Sequence, residues 1–326
     1  MSTIILSPDV DAHIPYVARH LSEPPIIIGA QFATEKKELS FVANNGTGNR
    51  IECIYDGKLI ANPTSVWLRR PFAALDGGLP VADKYFDYTA SAVKLHTGAL
   101  YTLFPEALWV SSEIAIKRAA YKPLQHNVAA AIGFRLPETL FTSRAEAAQQ
   151  FIDNHKATVI KVIAHTFPLS DPNAKEAATL FSRKVSKGKK LDLSGLHVAP
   201  TIFQEAIDTD FDIRVTVVGD KVFAASVRLN HKPSGDYAKM LDWRVGHYSG
   251  SLDIQPYNLP KDIAEKCVEH AKRLGLEFSA IDLIMDKRKN IWFIENNPNG
   301  QWAFVEHETG QPIGKALAEL LERGKV

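Results

Sequence analysis

The sequence predicts an α/β protein built of three units, and three observations carry that expectation. Residues 2–6 (STIIL) and 25–29 (PIIIG) are short β-branched apolar runs with turn residues around them. The stretch 11–21 between them reads as a helix, which makes a βαβ-like opening. The length, 326 residues, allows two or three domains at roughly 100–200 residues each.

In the first unit, 1–110, SVWLRRPF at 65–72 reads as a further strand ending in Arg69, Arg70 and a proline. Phe86, Ala90, Val93, Leu95, Leu100 and Leu103 recur at roughly helical spacing, so a long helix is expected over 85–103. The second unit, 111–203, opens with a short helix at 112–120. A second helix follows at 123–132, with Pro123 in its first turn and Gly133 as its stop. Helix 144–155 and the strand TVIKVI (158–163) come next. The segment Asp171–Leu193 contains RKVSKGKK, five basic residues in eight, and reads as a loop.

The third unit, 204–326, begins with two strands in 213–228 joined at Gly219-Asp220, a pair suited to a type II′ turn. Helix 262–274 sets Ile263, Cys267, Val268, Ala271 and Leu274 on one face, and Gly275 ends it. Strands at 278–286 and 291–296 flank the loop DKRKN, and a last helix is expected near 312–323.

Composition removes several function classes. The net charge of +1 offers no field for nucleic acid or an anionic membrane. Two cysteines, Cys53 and Cys267, make no disulfide scaffold, and both lie in apolar company as buried thiols. No uninterrupted apolar run reaches the ~18 residues of a membrane span, and no signal-like segment opens the chain. A soluble cytoplasmic protein is the expectation. The eleven histidines are scattered, with no helical zinc pair. P-loop and G-x-S-x-G patterns are absent, so any bound phosphates must be held by lysines, arginines and metal.

The most pointed chemistry lies in AIDLIMD…IWFIENNPNG. Side chains alternate along a strand, so Glu295 and Asn297 share a face. A return centred near Arg288 sets Asp282 opposite Ile294, within one residue of Glu295. Two carboxylates and an amide oxygen suit a hard cation such as Mg²⁺. A salt bridge from one of the arginines is the alternative reading of the same acids.

TIFQEAIDTDFDIRVTVVGDKVFA, followed by SAIDLIMDKRKNIWFIENNPNGQW, resembles the C-terminal half of ATP-grasp ligases. That resemblance implies an ATP-grasp fold behind an N-terminal α/β pre-ATP-grasp domain, with nucleotide held between two α+β subdomains. It implies Gln204, Glu205 and Ile207 at adenine, Asp212 near the ribose, Arg214 and Lys122 at the phosphates, and Lys161 beside the nucleotide. It also implies Mg²⁺ on Asp282, Glu295 and Asn297. WLRRPF, LDWR (241–244) and FIENNPNGQW resemble microviridin-type (graspetide) ligases in particular. This likeness implies a precursor peptide with a leader as partner, ester or amide crosslinks as product, and relatives that are often homodimers. Arg244 of LDWR is then a catalytic candidate beside Arg214 and Lys161. The basic loop 183–190 is expected to close over the nucleotide. A ligase that adds an amino acid to a protein tail or small molecule, and a nucleotide-binding module without turnover, are the rival functions. One departure is the acidic Asp208-Thr209-Asp210, where relatives often carry a lysine.

Overall fold

The computed structural model describes residues 2–43, 51–73, 75, 78–163, 166–167, 178–179, 182–229 and 252–325. The first unit holds a parallel sheet of β1 (Thr3–Leu6), β2 (Ile26–Ile28), β6 (Ser65–Leu68) and β7 (Leu108–Val110), in the order β2-β1-β6-β7. β1 is buried along its whole length, as its apolar run requires. An antiparallel sheet of β3 (Leu39–Ala43), β4 (Ile51–Tyr55) and β5 (Lys58–Ile60) is inserted before β6. The helix expected over 85–103 is broken into Phe86–Gly98 and Leu100–Leu103. Leu95 lies on its solvent side, 79% exposed, so the apolar spacing there does not mark a core face. The helix expected over 11–21 is confined to Ile14–Ala18.

The central sheet runs β12-β9-β13-β8 and is antiparallel: β8 (Thr139–Thr142), β9 (Ala157–Val162), β12 (Arg183–Ser186) and β13 (Thr201–Glu205). Two short strands, β10 (Thr166–Phe167) and β11 (Ala178–Thr179), pair with each other as a separate antiparallel ribbon. Helix Ala145–Asn154 covers one face with Ala148, Phe151 and Ile152, packed on Phe203 and Val185. Half of the basic stretch expected as a loop is β12, the edge strand beside β9.

The last sheet, β16-β15-β14-β17-β18, is antiparallel: β14 (Thr209–Val218), β15 (Lys221–Leu229), β16 (Leu252–Pro256), β17 (Phe278–Asp286) and β18 (Ile291–Asn297). Gly219 has φ +57° and Asp220 stays at negative φ, as a type II′ turn between β14 and β15 demands. On one face Ile213, Val215, Ile281 and Phe293 pack against helices Glu113–Ala119, Lys122–Ala131 and Lys261–Leu274. Gly275, at φ +77°, ends the last of these in the left-handed region. On the other face Val218, Phe278 and Ala280 meet Trp302, helix Ile313–Arg323, and Ile5 and Trp67 of the first sheet. One apolar cluster therefore ties the N-terminal unit to the chain's end. The sequence-based boundary at 203/204 falls inside β13. Among the described residues no helix is long and apolar enough to cross a membrane.

Candidate active site

The central and last sheets face each other across a cleft of about 460 Å³. Ala206 and Ile207, from the short link between β13 and β14, line it. Lys161, Gln204, Glu205, Ile207, Asp212, Asp282 and Glu295 all line it, so most of the residues singled out in the sequence share one cavity. Lys184 of β12 lines it too.

On the central sheet, Lys161 of β9 donates to Gln204 Oε1 of β13 at 2.7 Å. Gln204 is 3% exposed, and its Nε2 donates to Thr139 Oγ1 at 3.0 Å. The lysine is thus aimed from a buried, hydrogen-bonded platform.

On the last sheet, Asp212 and Arg214 share a face of β14, two residues apart. Arg214 stands opposite Asp282 in register, and Nη1 donates to Asp282 Oδ1 at 2.7 Å. Counting back from the loop sets Asp282 opposite Ile294, but the structure pairs it with Glu295. The cause is an irregularity between Asp282 and Leu283, where β18 carries one extra residue. That bulge brings the two carboxylates directly across from each other. Asn297 Nδ2 donates to Asp282 Oδ2 at 3.1 Å and to Glu295 Oε1 at 3.0 Å. Lys122 Nζ donates to Glu295 Oε2 at 2.7 Å, from the first residue of its helix rather than from the loop before it. The convergence of Asp282, Glu295 and Asn297 and the salt-bridge alternative are both present: each carboxylate carries a cationic partner as well.

Several residues that hold this arrangement were not singled out in the sequence. Gln125, one helical turn after Lys122 and fully buried, clasps the Asn296 peptide. Its Nε2 donates to Asn296 O at 2.7 Å, and its Oε1 accepts from Asn296 N at 2.9 Å. β18 is an edge strand, so this side-chain amide stands where another strand would pair. Asn296 Nδ2 also donates to His270 Nδ1 at 3.2 Å, and His270 Nε2 meets Gln125 O at 3.1 Å. A carbonyl only accepts, so Nε2 carries the proton and Nδ1 is the acceptor. Burial holds the imidazole neutral, with its pKa pushed down to about 4 against the opposing pull of the Gln125 carbonyl. His126, on the same helix, is also pushed down to about 4, first by burial and then by Lys161 and Lys122.

Gly300 lets the loop after β18 close over Arg214. A Cβ there would lie 2.5 Å from Ala280 Cβ and 2.6 Å from Arg214 Nη2. Arg214 Nη2 donates to Gln301 O at 2.8 Å. The acidic Asp208 and Asp210 are neutralised by the turn after β17: Lys287 reaches Asp208 at 2.8 Å, Lys289 reaches Asp210 at 2.7 Å, and Arg228 adds a contact to Asp210 at 3.1 Å. Arg244 and the rest of LDWR lie outside the described residues.

Comparison with known proteins bears on the fold and the family. A family model described as RimK-like ATP-grasp domain matches residues 119–321. A probable alpha-L-glutamate ligase of Xanthomonas oryzae pv. oryzae is 29% identical over 214 residues, 64% of this chain and 66% of that protein. The chain thus spans about two thirds of the length of that curated relative. A RiPP-associated ATP-grasp ligase of Chryseobacterium gregarium, solved with ADP and a leader and core peptide, superposes with TM-score 0.83 at 23% identity. That alignment covers 99% of this chain and 96% of the other. The macrocyclase MdnC of Microcystis aeruginosa MRC, bound with precursor peptide MdnA, superposes with TM-score 0.77 at 25% identity, over 99% and 100% of the two chains.

Proposed function

The chain belongs to the RimK-like ATP-grasp family, and from that premise we propose that it is an ATP-dependent ligase that crosslinks side chains of a ribosomally made precursor peptide. One observation carries the reading. Two carboxylates, an amide and two cationic side chains meet at one end of a cleft whose other end is the link between two sheets. In this reading adenine sits against Gln204, Glu205 and Ile207, the ribose near Asp212, and the phosphates among Lys122, Lys161 and Arg214. Arg244 is proposed as a further cation toward the reacting phosphate.

Asp282 and Glu295 fit a hard divalent cation, because an oxygen of each converges on the Asn297 side-chain amide, which would supply a third oxygen. When bound, Mg²⁺ would offset charge on the nucleotide's phosphates. The protein's own part is positioning and charge compensation. A peptide carboxylate attacks the γ-phosphorus, the bond to the β-phosphate oxygen breaks, and ADP leaves. A Thr or Ser hydroxyl, or a Lys amine, then attacks the acyl carbon. Phosphate departs and the attacking group gives up its proton. Lys161 and Arg214 hold the phosphoryl oxygens through the first step.

The test is mass spectrometry of a cognate acidic, hydroxyl-rich peptide with ATP and Mg²⁺. The peptide should lose one water for each ADP released. The likeness to a probable alpha-L-glutamate ligase favours one second reading, addition of an amino acid to a tail. Gain of a residue's mass would establish that reading and reject the crosslinking one.

A further inference from the structure

Arg69 directly follows β6, and its side chain leaves the first unit for the last one. Its backbone is fixed on the first sheet, where Arg69 N donates to Leu6 O at 3.0 Å. The residue is 3% exposed, and a buried guanidinium is costly unless it is paired and hydrogen-bonded. Its counter-charge is Asp11, whose Oδ2 lies 3.6 Å from Nε. Asp11 also accepts from His13 Nδ1 at 2.7 Å, and Arg69 Nη2 lies 3.3 Å from that same nitrogen.

These groups grip the loop after β18 from the first unit. Arg69 Nη1 donates to Asn299 O, and Asn299 Nδ2 returns a bond to Arg69 O at 3.1 Å. His13 Nε2 accepts from Trp302 N at 3.2 Å, so the imidazole is neutral with its proton on Nδ1. The gripped loop begins at Asn297, whose carbonyl accepts from Gly300 N at 3.0 Å. Two carbonyls of this loop therefore go to buried guanidiniums from different units. Asn299 O takes Arg69, and Gln301 O takes Arg214 Nη2 at 2.8 Å.

Arg214 also donates to Asp282 Oδ1 at 2.7 Å. A divalent cation on Asp282 would compete for that bond, whereas it does not compete for the carbonyl of Gln301. When Asp282 turns to metal, the place of Gln301 O decides where the guanidinium points.

We propose that Arg69 is a positioning residue of the nucleotide site, holding the loop after β18 so that Gln301 O presents Arg214 to the phosphates. The first unit thereby sets the geometry of a site to which it offers no ligand of its own. The proposal rests on the nucleotide-site reading above, and it is measurable without turnover.

The test is calorimetry of ADP binding to the full chain, with and without excess Mg²⁺. R69K keeps a charge beside Asp11, but a point ammonium lacks the planar fork that reaches Asn299 O and His13 together. With Mg²⁺ it should weaken ADP about two- to thirtyfold, the range carried through a packed network. Without Mg²⁺ Arg214 keeps its bond to Asp282, and the loss should shrink. N299A removes only the bond returned to Arg69 O, leaves the buried charges in place, and should weaken ADP in the same direction by less. R214K weakens ADP directly. If Arg69 acts through Arg214, R69K should add nothing in an R214K background, because the group it positions is gone. Unchanged binding stoichiometry shows that the variants are folded. Additive losses in R69K/R214K, or a loss equal with and without Mg²⁺, would make Arg69 a support of the fold alone and overturn the proposal. Wild-type affinity in R69K overturns it too, and leaves the nucleotide site standing. A wild type that binds no ADP refutes the site, and the proposal with it.

Discussion

Replacing Gln125 with methionine tests whether the acids of β18 are held from behind. Methionine matches glutamine in length and is equally at home in a helix. It removes three hydrogen bonds: those to Ala119 O at 2.6 Å and Asn296 O at 2.7 Å, and the one from Asn296 N at 2.9 Å. Asn296 is fully buried, so water cannot replace its lost partners. An unsatisfied buried peptide group costs about 1–3 kcal/mol, so two of them should cost roughly 2–4 kcal/mol of folding stability. Asn296 lies between Glu295 and Asn297, and freeing its peptide loosens both. Affinity for ADP should therefore fall several-fold in the presence of Mg²⁺ and change little in its absence. Urea unfolding gives the first quantity and calorimetry the second. A Q125M protein within about 0.5 kcal/mol of wild type, the scale of a surface substitution, would falsify the clasp.

Other consequences follow from the same geometry. Lys161→Ala should weaken ATP binding about ten- to hundredfold by calorimetry, the scale of one charged hydrogen bond, and unchanged affinity would place the lysine elsewhere. Glu295→Gln or Asp282→Asn should abolish turnover with the fold intact by circular dichroism; wild-type ADP release from both would remove the cation from this hairpin. His126, half-buried, and His270, fully buried, are held neutral, with pKa values near 4 against the ordinary 6.5. The unfolded chain thus binds more protons between those values, so stability should be full above about pH 6.5 and be lost as pH falls toward 4. In His270→Asn the slope of unfolding free energy against pH in that window should shrink; an unaltered slope would mean that His270 is not held neutral.

The parts of the site read from sequence are those set by strand alternation and by resemblance. Glu295 and Asn297 share a face because they are two apart, and Asp212 and Arg214 do so for the same reason. The loop geometry of Gly219-Asp220 followed from glycine's access to positive φ. What sequence could not supply was register across irregular points. The extra residue at the β17–β18 bulge shifted the pairing by one and moved Asp282 from Ile294 to Glu295. Gln125, Asn296 and His270 carry no local signal, since their partners lie 145 to 171 residues away for Gln125. Leu95 fitted a helical period yet faces solvent, because apolar spacing does not say which side of a helix meets a partner. The antiparallel insert β3–β5 was missed for a similar reason: its strands are short and bounded by charged residues.

Metal ligand and salt-bridge partner look like rival roles for Asp282 and Glu295, but under the proposed function they are parts of one device. A pair of carboxylates across a bulge would repel strongly if left bare in a half-buried site. Arg214 and Lys122 settle that repulsion at 2.7 Å each, and the Asn297 amide bridges the remaining oxygens. While so engaged, neither cation is fully available to an anion. A divalent cation taken up by the carboxylates would release Arg214 and Lys122 toward a polyphosphate, and a polyphosphate would in turn favour that release. Linkage then requires metal and nucleotide each to raise the other's affinity. Asp208 and Asp210 do not oppose this, because Lys287, Lys289 and Arg228 already neutralise them at the other end of the cleft. The acidic departure from a lysine-bearing stretch is therefore matched by the basic turn after β17.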